Sequence, residues 1–205
     1  MLINDFTKMY CINLPRREDR KVKSQEIFSK FKLNVEFVEA VDGKNISNIG
    51  KIKPGEAGCC LSHKKVLQMI IDNPSIKTAL IMEDDVEFDK NMPTRFAEYY
   101  RQVPNDWKLL YFGGSHRHNP LKKISSHVHR LQKTYTTHCF AIKREAAKSL
   151  IKFFADDRIF DKPADLHLAE FQKQHPCYGF IVPIAWQRAD YSDIREDFKD
   201  YKHIR

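Results

Sequence analysis

No stretch of this 205-residue chain approaches the run of about 18 to 20 apolar residues that a membrane-spanning helix requires, so no span is expected. The pattern of a secretory leader is also missing, because the first twenty residues alternate apolar with polar and include Arg16, Arg17, Glu18 and Asp19. Glycine and proline are scarce, at seven and nine residues, which excludes fibrous and low-complexity classes. Cysteine never forms a Cys-x-x-Cys pair, and Cys11, Cys59, Cys60, Cys139 and Cys177 make an odd set in mostly apolar surroundings. Buried thiols in a reducing compartment are therefore expected, with one disulfide as the alternative. There is no GxxxxGK[ST] segment, which excludes P-loop chemistry. No internal repeat, zinc-finger, helix-turn-helix or RNP signature is present, and the basic residues are dispersed, so no nucleic-acid partner is expected.

What is present suits one globular domain over residues 1–205: 42% hydrophobic residues, 12% aromatics and a length that supports a substantial core. The formal net charge of +8 favours an anionic partner such as a nucleotide diphosphate or an acidic lipid surface, or simply a solvated lysine-rich exterior.

Along the chain, short apolar runs alternate with helical periodicity. Lys8 to Leu14 is a brief run stopped by Pro15 and reads as a buried strand. Arg16 to Phe31 follows as a helix with Val22, Ile27, Phe28 and Phe31 on one stripe. Val35 to Val41 alternates before an Asp42-Gly43 turn signal and predicts a second strand. Gly55 to Ile71 places Leu61, Val66, Leu67 and Ile70 at helical spacing. Lys77 to Met82 reads as a central parallel strand delivering Glu83, Asp84 and Asp85 at its C-terminal edge. A helix over Asn91 to Val103 and a strand over Trp107 to Phe112 complete a β-α-β-α-β-α-β order. Ser115 to Lys133 is polar and basic and predicts a long loop or a hairpin on the rim. Strand character over Thr134 to Lys143, helices over Arg144 to Phe154 and Asp165 to Gln172, a last strand over Gly179 to Ile184 and a charged tail from Arg188 to Arg205 close the chain. The fold class is α/β, with a mainly parallel central sheet flanked by helices.

The acidic triplet carries the chemistry. Carboxylates gathered where a buried strand ends form a hard-oxygen site for Mg²⁺ or Mn²⁺, a coordination that phosphate oxygens and water commonly complete. On an extended chain Glu83 and Asp85 share one side and Asp84 points away, which nominates Glu83 and Asp85 as metal ligands. An acidic turn that merely closes a strand is the plain alternative. The pairs His116/His118 and His127/His129 could each share a strand face, but their spacing matches no closed zinc site, and a basic lid or an anion contact suits them better.

Several segments, taken in order, resemble the motifs of glycosyltransferase family 25, which includes lipopolysaccharide and procollagen galactosyltransferases. They are CINLPRREDR (Cys11 to Arg20), VEAVDGK (Val38 to Lys44), GEAGCCLSHKKVL (Gly55 to Leu67) and LIMEDDVEF (Leu80 to Phe88). Later come THCFAIKREAAKSLI (Thr137 to Ile151), PADLHL (Pro163 to Leu168) and YSDI (Tyr191 to Ile194). The resemblance implies a GT-A-like, Rossmann-related domain. Its first half, residues 1–112, would bind the nucleotide sugar, and residues 113–205 would form the acceptor side and the tail.

The same resemblance implies a UDP-sugar donor, galactose or glucose, and transfer with inversion to a glycan, lipid-linked or hydroxylysine-type acceptor. Asn13, Leu14, Arg16 and Arg20 would line the nucleotide end, and Ser62 and His63 would lie near the diphosphate. Glu83 and Asp84 would complete the donor contacts. Asp165 is the implied catalytic base, with Asp161 in reserve, and an N-cap role is the structural alternative for Asp165. His167, His175 and Gln187 are the choices for a further metal ligand, and Trp186 could border the acceptor. A cytoplasmic enzyme, peripheral to an anionic membrane at most, is the expected setting. The rival readings are a metal-dependent phosphotransferase or nucleotidyltransferase, a basic nucleic-acid module, and a glycosyltransferase-like scaffold without activity.

Overall fold

The computed structural model describes residues 1–116, 122–192, 194 and 197–200. His118 therefore lies outside the described residues, as do the central part of the rim segment and the end of the charged tail.

In chain order the strands and helices begin with β1 (Lys8–Asn13), α1 (Glu18–Lys30), β2 (Glu36–Glu39), α2 (Pro54–Asp72), β3 (Thr78–Glu83), β4 (Val86–Phe88), α3 (Met92–Tyr100) and β5 (Leu109–Tyr111). Then follow β6 (Ser115–His116), β7 (Lys122–Lys123), β8 (Val128–Arg130), β9 (Thr134–Tyr135), β10 (Cys139–Lys143) and α4 (Arg144–Leu150). The last are α5 (Ala164–Gln174), β11 (Cys177–Phe180), β12 (Ala185–Gln187), β13 (Asp190–Ser192) and β14 (Asp197–Lys199). A 3₁₀ turn over Ile151–Phe154 extends α4, so the helix expected to reach Phe154 tightens in its last turn.

Eight strands pair in the order β2-β1-β3-β10-β5-β11-β8-β7. β1, β2 and β3 run parallel, as do β5 and β11, while β10 and β8 run against their neighbours. The architecture is thus the expected α/β sheet, mostly parallel in strand direction, with antiparallel insertions. The expected single strand from Thr134 to Lys143 is two strands, because Thr136 takes φ 74° and turns the chain between β9 and β10. Among the described residues of the rim segment, β7 and β8 form a hairpin at the edge of the sheet.

Side chains alternate across the sheet and build a core on each face. Met9, Cys11, Leu80, Met82, Leu110 and Phe180 point into one layer, with Phe28 of α1 and Phe96 of α3. Tyr10, Ile12, Ala79, Ile81, Phe140 and Ile142 point into the other, with Val66, Leu67 and Ile70 of α2, Leu150 of α4 and Phe171 of α5. All five cysteines are free thiols, and four are buried. The parallel strands β1 and β3 therefore end side by side, with Ile12 in register with Glu83, and this edge opens into the principal cleft.

Candidate functional site

The cleft encloses about 530 Å³ where β1 and β3 end and where α2 and α5 begin. Carboxyl ends of strands in open α/β sheets are the customary ligand position, because the chain reverses there and leaves a crevice. Leu14, Arg16, Arg20, Ser62, His63, Glu83, Asp84, Asp85, Asp165 and Gln187 all line it.

The acid triplet is not extended. After Glu83 the chain turns through Asp84 and Asp85 before β4 begins, so the alternation expected along a strand does not hold and each acid faces a different wall. Glu83 faces α2 and the segment before β10. Its Oε1 accepts a hydrogen bond from the Thr137 hydroxyl at 2.6 Å and lies 3.0 Å from His63 Nε2 and 3.9 Å from Cys59 Sγ. Burial pushes the Glu83 carboxyl up, but His63 and Thr137 outweigh it and hold the group below the usual glutamate range.

Asp84 turns toward β1 and α1. Asn13 Nδ2 donates to its Oδ2 at 2.8 Å, and Arg20 Nη1 donates to its Oδ1 at 2.9 Å. The Ser24 hydroxyl donates to its backbone carbonyl at 2.8 Å, fixing the turn. Burial pushes the Asp84 carboxyl up and Arg20 pulls it back. Arg20 is itself 8% exposed. It also ion-pairs with Asp85 at 3.8 Å and Asp190 at 3.4 Å, and donates to the Tyr191 carbonyl at 2.7 Å. One guanidinium thus ties the triplet to β13, a site where Lys could not replace its fork of donors.

Asp85 is the least satisfied of the three. Gln187 Nε2 donates to Oδ2 at 3.3 Å, whereas Oδ1 is buried with no hydrogen-bond partner. Burial and the neighbouring Glu83 push this carboxyl up to about 7. A buried acceptor without a donor beside two further carboxylates is a site short of positive charge, which is the physical signature of a cation position. The residues present therefore fit a divalent ion, with the orphan Asp85 Oδ1 as the oxygen that would hold it and Glu83, lining the same cleft, as the second carboxylate.

The remaining expected residues distribute as follows. Asp165 stands in the first turn of α5, one residue past Ala164, and the capping position is taken by Pro163 instead. Burial raises its carboxyl, while the backbone amides of Thr136 and Leu166 favour the ionised form. Asp161 is exposed and does not line the cleft. The Ser62 hydroxyl is engaged within the protein, donating to the Gly58 carbonyl at 2.6 Å and accepting from the Val41 amide at 2.9 Å. Of the three further metal choices only Gln187 adjoins the acids. His167 is buried against Phe154 and bonds the Ile159 carbonyl at 3.2 Å, and His175 stacks on Phe171 at the far end of α5. Trp186 points away from Gln187 on β12 and donates to Glu87 at 3.1 Å. Of the histidine pairs, His116 and His129 come together edge to face at 4.3 Å, while His127 stacks on Tyr99.

Thr137, Ser24 and Cys59 were not nominated from the sequence, although each touches the triplet. Thr137 and Cys59 fall within the motifs quoted above, but a hydroxyl ahead of a strand and a thiol on an apolar helix carry no distinguishing signal by themselves.

Comparison with known proteins places the chain. Residues 6–168 match the family described as "Glycosyltransferase family 25 (LPS biosynthesis protein)". The chain belongs to this family. It is 29% identical over 198 residues to procollagen galactosyltransferase 2 of Mus musculus, covering 83% of this chain and 31% of that protein. It is 32% identical over 176 residues to the procollagen lysyl hydroxylase and glycosyltransferase of Acanthamoeba polyphaga mimivirus, covering 71% of this chain and 19% of the viral protein. The chain thus spans less than a third of the length of these two family 25 relatives. The crystal structure of A197 from STIV superposes with a TM-score of 0.50 at 9% identity, over 94% of each chain, which is a likeness of fold alone. Among the described residues no helix is long and apolar enough to cross a membrane.

Proposed function

We propose that this family 25 domain transfers a hexose, galactose or glucose, from a UDP-sugar to a hydroxyl of a glycan, lipid-linked or hydroxylysine-type acceptor, with inversion at the anomeric carbon. The observation that carries the reading is the convergence of the Asp85 orphan oxygen, the Asn13–Asp84–Arg20 network and Asp165 on one cleft at the ends of β1 and β3.

In this reading Leu14 and Arg16 border the nucleoside, and Asn13 and Arg20 act by holding Asp84 and the turn rigid. Glu83 and Asp85 are the pair that would hold Mn²⁺ or Mg²⁺, whose chemistry is to offset negative charge on the departing diphosphate. The acceptor oxygen attacks the anomeric carbon, the bond from that carbon to the diphosphate oxygen breaks, and UDP leaves with the electron pair. Asp165 takes the acceptor's proton. A carboxyl raised by burial is a better base than a solvated one, and the two backbone amides favour its ionised form.

The test is transfer from labelled UDP-galactose and UDP-glucose to a panel of glycan and hydroxylysine-peptide acceptors, with the anomeric configuration of the product read by NMR. A β-linked product from an α-linked donor, formed by the unmodified chain and lost in Asp165→Asn with donor binding retained, supports the reading. Transfer that survives Asp165→Asn removes Asp165 as the base, and a product of retained configuration removes inversion.

A further inference from the structure

Cys59 and His63 lie four residues apart on α2, one turn of the helix, so their side chains share the face turned to the cleft. Glu83, delivered by β3, completes a cluster in which Sγ, Nε2 and a carboxylate oxygen all lie within 4.8 Å of one another. Ligands held at 2.0–2.3 Å around a tetrahedral zinc stand roughly 3.3–3.8 Å apart. The separations from Glu83 Oε1 are 3.0 Å to His63 Nε2 and 3.9 Å to Cys59 Sγ, so small side-chain rotations reach that geometry.

The geometry points to a second cation site in this cleft, a soft-metal site of Cys59, His63 and Glu83 that takes Zn²⁺ or Co²⁺ and leaves its fourth position open to the cleft. Thiolate and imidazole select such ions, whereas the oxygens of Asp85 and the far oxygen of Glu83 suit Mn²⁺ or Mg²⁺. Thr137, donating to Glu83 Oε1, is the outer partner that orients the carboxylate. Coordination releases the Cys59 thiol proton to solvent and forms a metal–sulfur bond, with no change of oxidation state. Because Glu83 borders both sites, an ion bound at its Oε1 places positive charge beside the hard site. The consequence is weaker occupation of that site and inhibition of donor binding by the soft metal, relieved by chelation.

The inference rests on three side chains and not on the transfer reaction, so it is tested without donor or acceptor. Co²⁺ is titrated into the purified chain with a phosphine reductant and followed by absorption. A thiolate-to-cobalt charge-transfer band, saturating at one equivalent with the visible intensity of a tetrahedral ion and displaced by Zn²⁺, is the expected result. Cys59→Ser should abolish the charge-transfer band while circular dichroism stays unchanged, and Asp85→Asn should keep it. A band that never forms, or one that survives Cys59→Ser, overturns the site whether or not the chain transfers sugar.

Discussion

At the residue scale, Asp85 and His138 make opposite demands on pH. The Asp85 carboxyl is pushed up to about 7 in the fold, against about 3.9 in an unfolded chain, so the native state binds its proton more tightly. Its contribution is full at low pH and is lost as pH rises through about 7. His138 is buried beside the Ala185 carbonyl, and burial brings its imidazole down to about 4 against about 6.5 unfolded. Its contribution is full above 6.5 and is lost as pH falls toward 4. In the unmodified chain without divalent cations the two slopes largely cancel between pH 4 and 6.5. Asp85→Asn keeps the hydrogen bond with Gln187 and removes one slope. Its melting temperature should therefore climb by several degrees from pH 4 to 6.5 and exceed that of the unmodified chain at pH 8. Parallel melting curves for the two proteins would contradict the raised Asp85 carboxyl.

Thr137→Val tests the outer contacts of the same triplet. The swap preserves shape and removes the donor to Glu83 Oε1, a hydrogen bond to a charged group worth about 1.5–3 kcal/mol. The expected result is a melting temperature lower by several degrees together with a loss of ten-fold or more in kcat/KM. An unaltered rate constant would mean that Glu83 is held by His63 alone. These residues also mark what could be read in advance. The Glu83-Asp84-Asp85 run, Arg20 and Asp165 were visible as acids or bases within ordered motifs. Thr137 and Ser24 were not, because a hydroxyl gains its role only when folding carries it across tens of residues to an acid. The turn at Asp84 was hidden as well, since no glycine or proline announces it.

At the element scale, the cleft depends on how closely α2 approaches the segment after β2. A Cβ on Gly58 would stand 2.5 Å from the Val41 carbonyl and 2.8 Å from the Gly43 amide, and one on Gly43 would strike the Pro54 carbonyl at 1.6 Å. These backbone atoms cannot rotate away, so the helix itself would have to move. Gly58→Ala should cost about 1–3 kcal/mol in denaturant unfolding and weaken donor binding further, because Ser62 and His63 ride on the same helix. A variant with unchanged stability would show that α2 is free to shift. Hydrophobic patterning located α2, β1 and β3 to within a residue or two, since α2 buries a periodic apolar stripe and the two strands, buried on both faces, read as continuous apolar runs. It ran β9 and β10 together because Thr136 adopts φ 74° without the glycine or asparagine that usually signals it. The pairing of β12 with β4, which brings Gln187 to Asp85, joins two three-residue strands far apart in sequence, and no local pattern encodes that.

At the scale of the whole molecule, the order of segments was the strongest guide. Composition and the net charge of +8 left several classes of anionic partner open, whereas motifs in family order agreed with a sheet whose β1 and β3 edges carry the acids. The fold gathers those motifs from positions 11 to 194 around one cleft of about 530 Å³. The most direct measurement is calorimetric titration of UDP-galactose, UDP-glucose and GDP-mannose into the chain with and without Mn²⁺, repeated with Asp85→Asn. The account predicts binding of one UDP-sugar that requires Mn²⁺ and falls at least a hundred-fold in the variant. Failure to bind any UDP-sugar, or binding indifferent to both Mn²⁺ and Asp85, would contradict it.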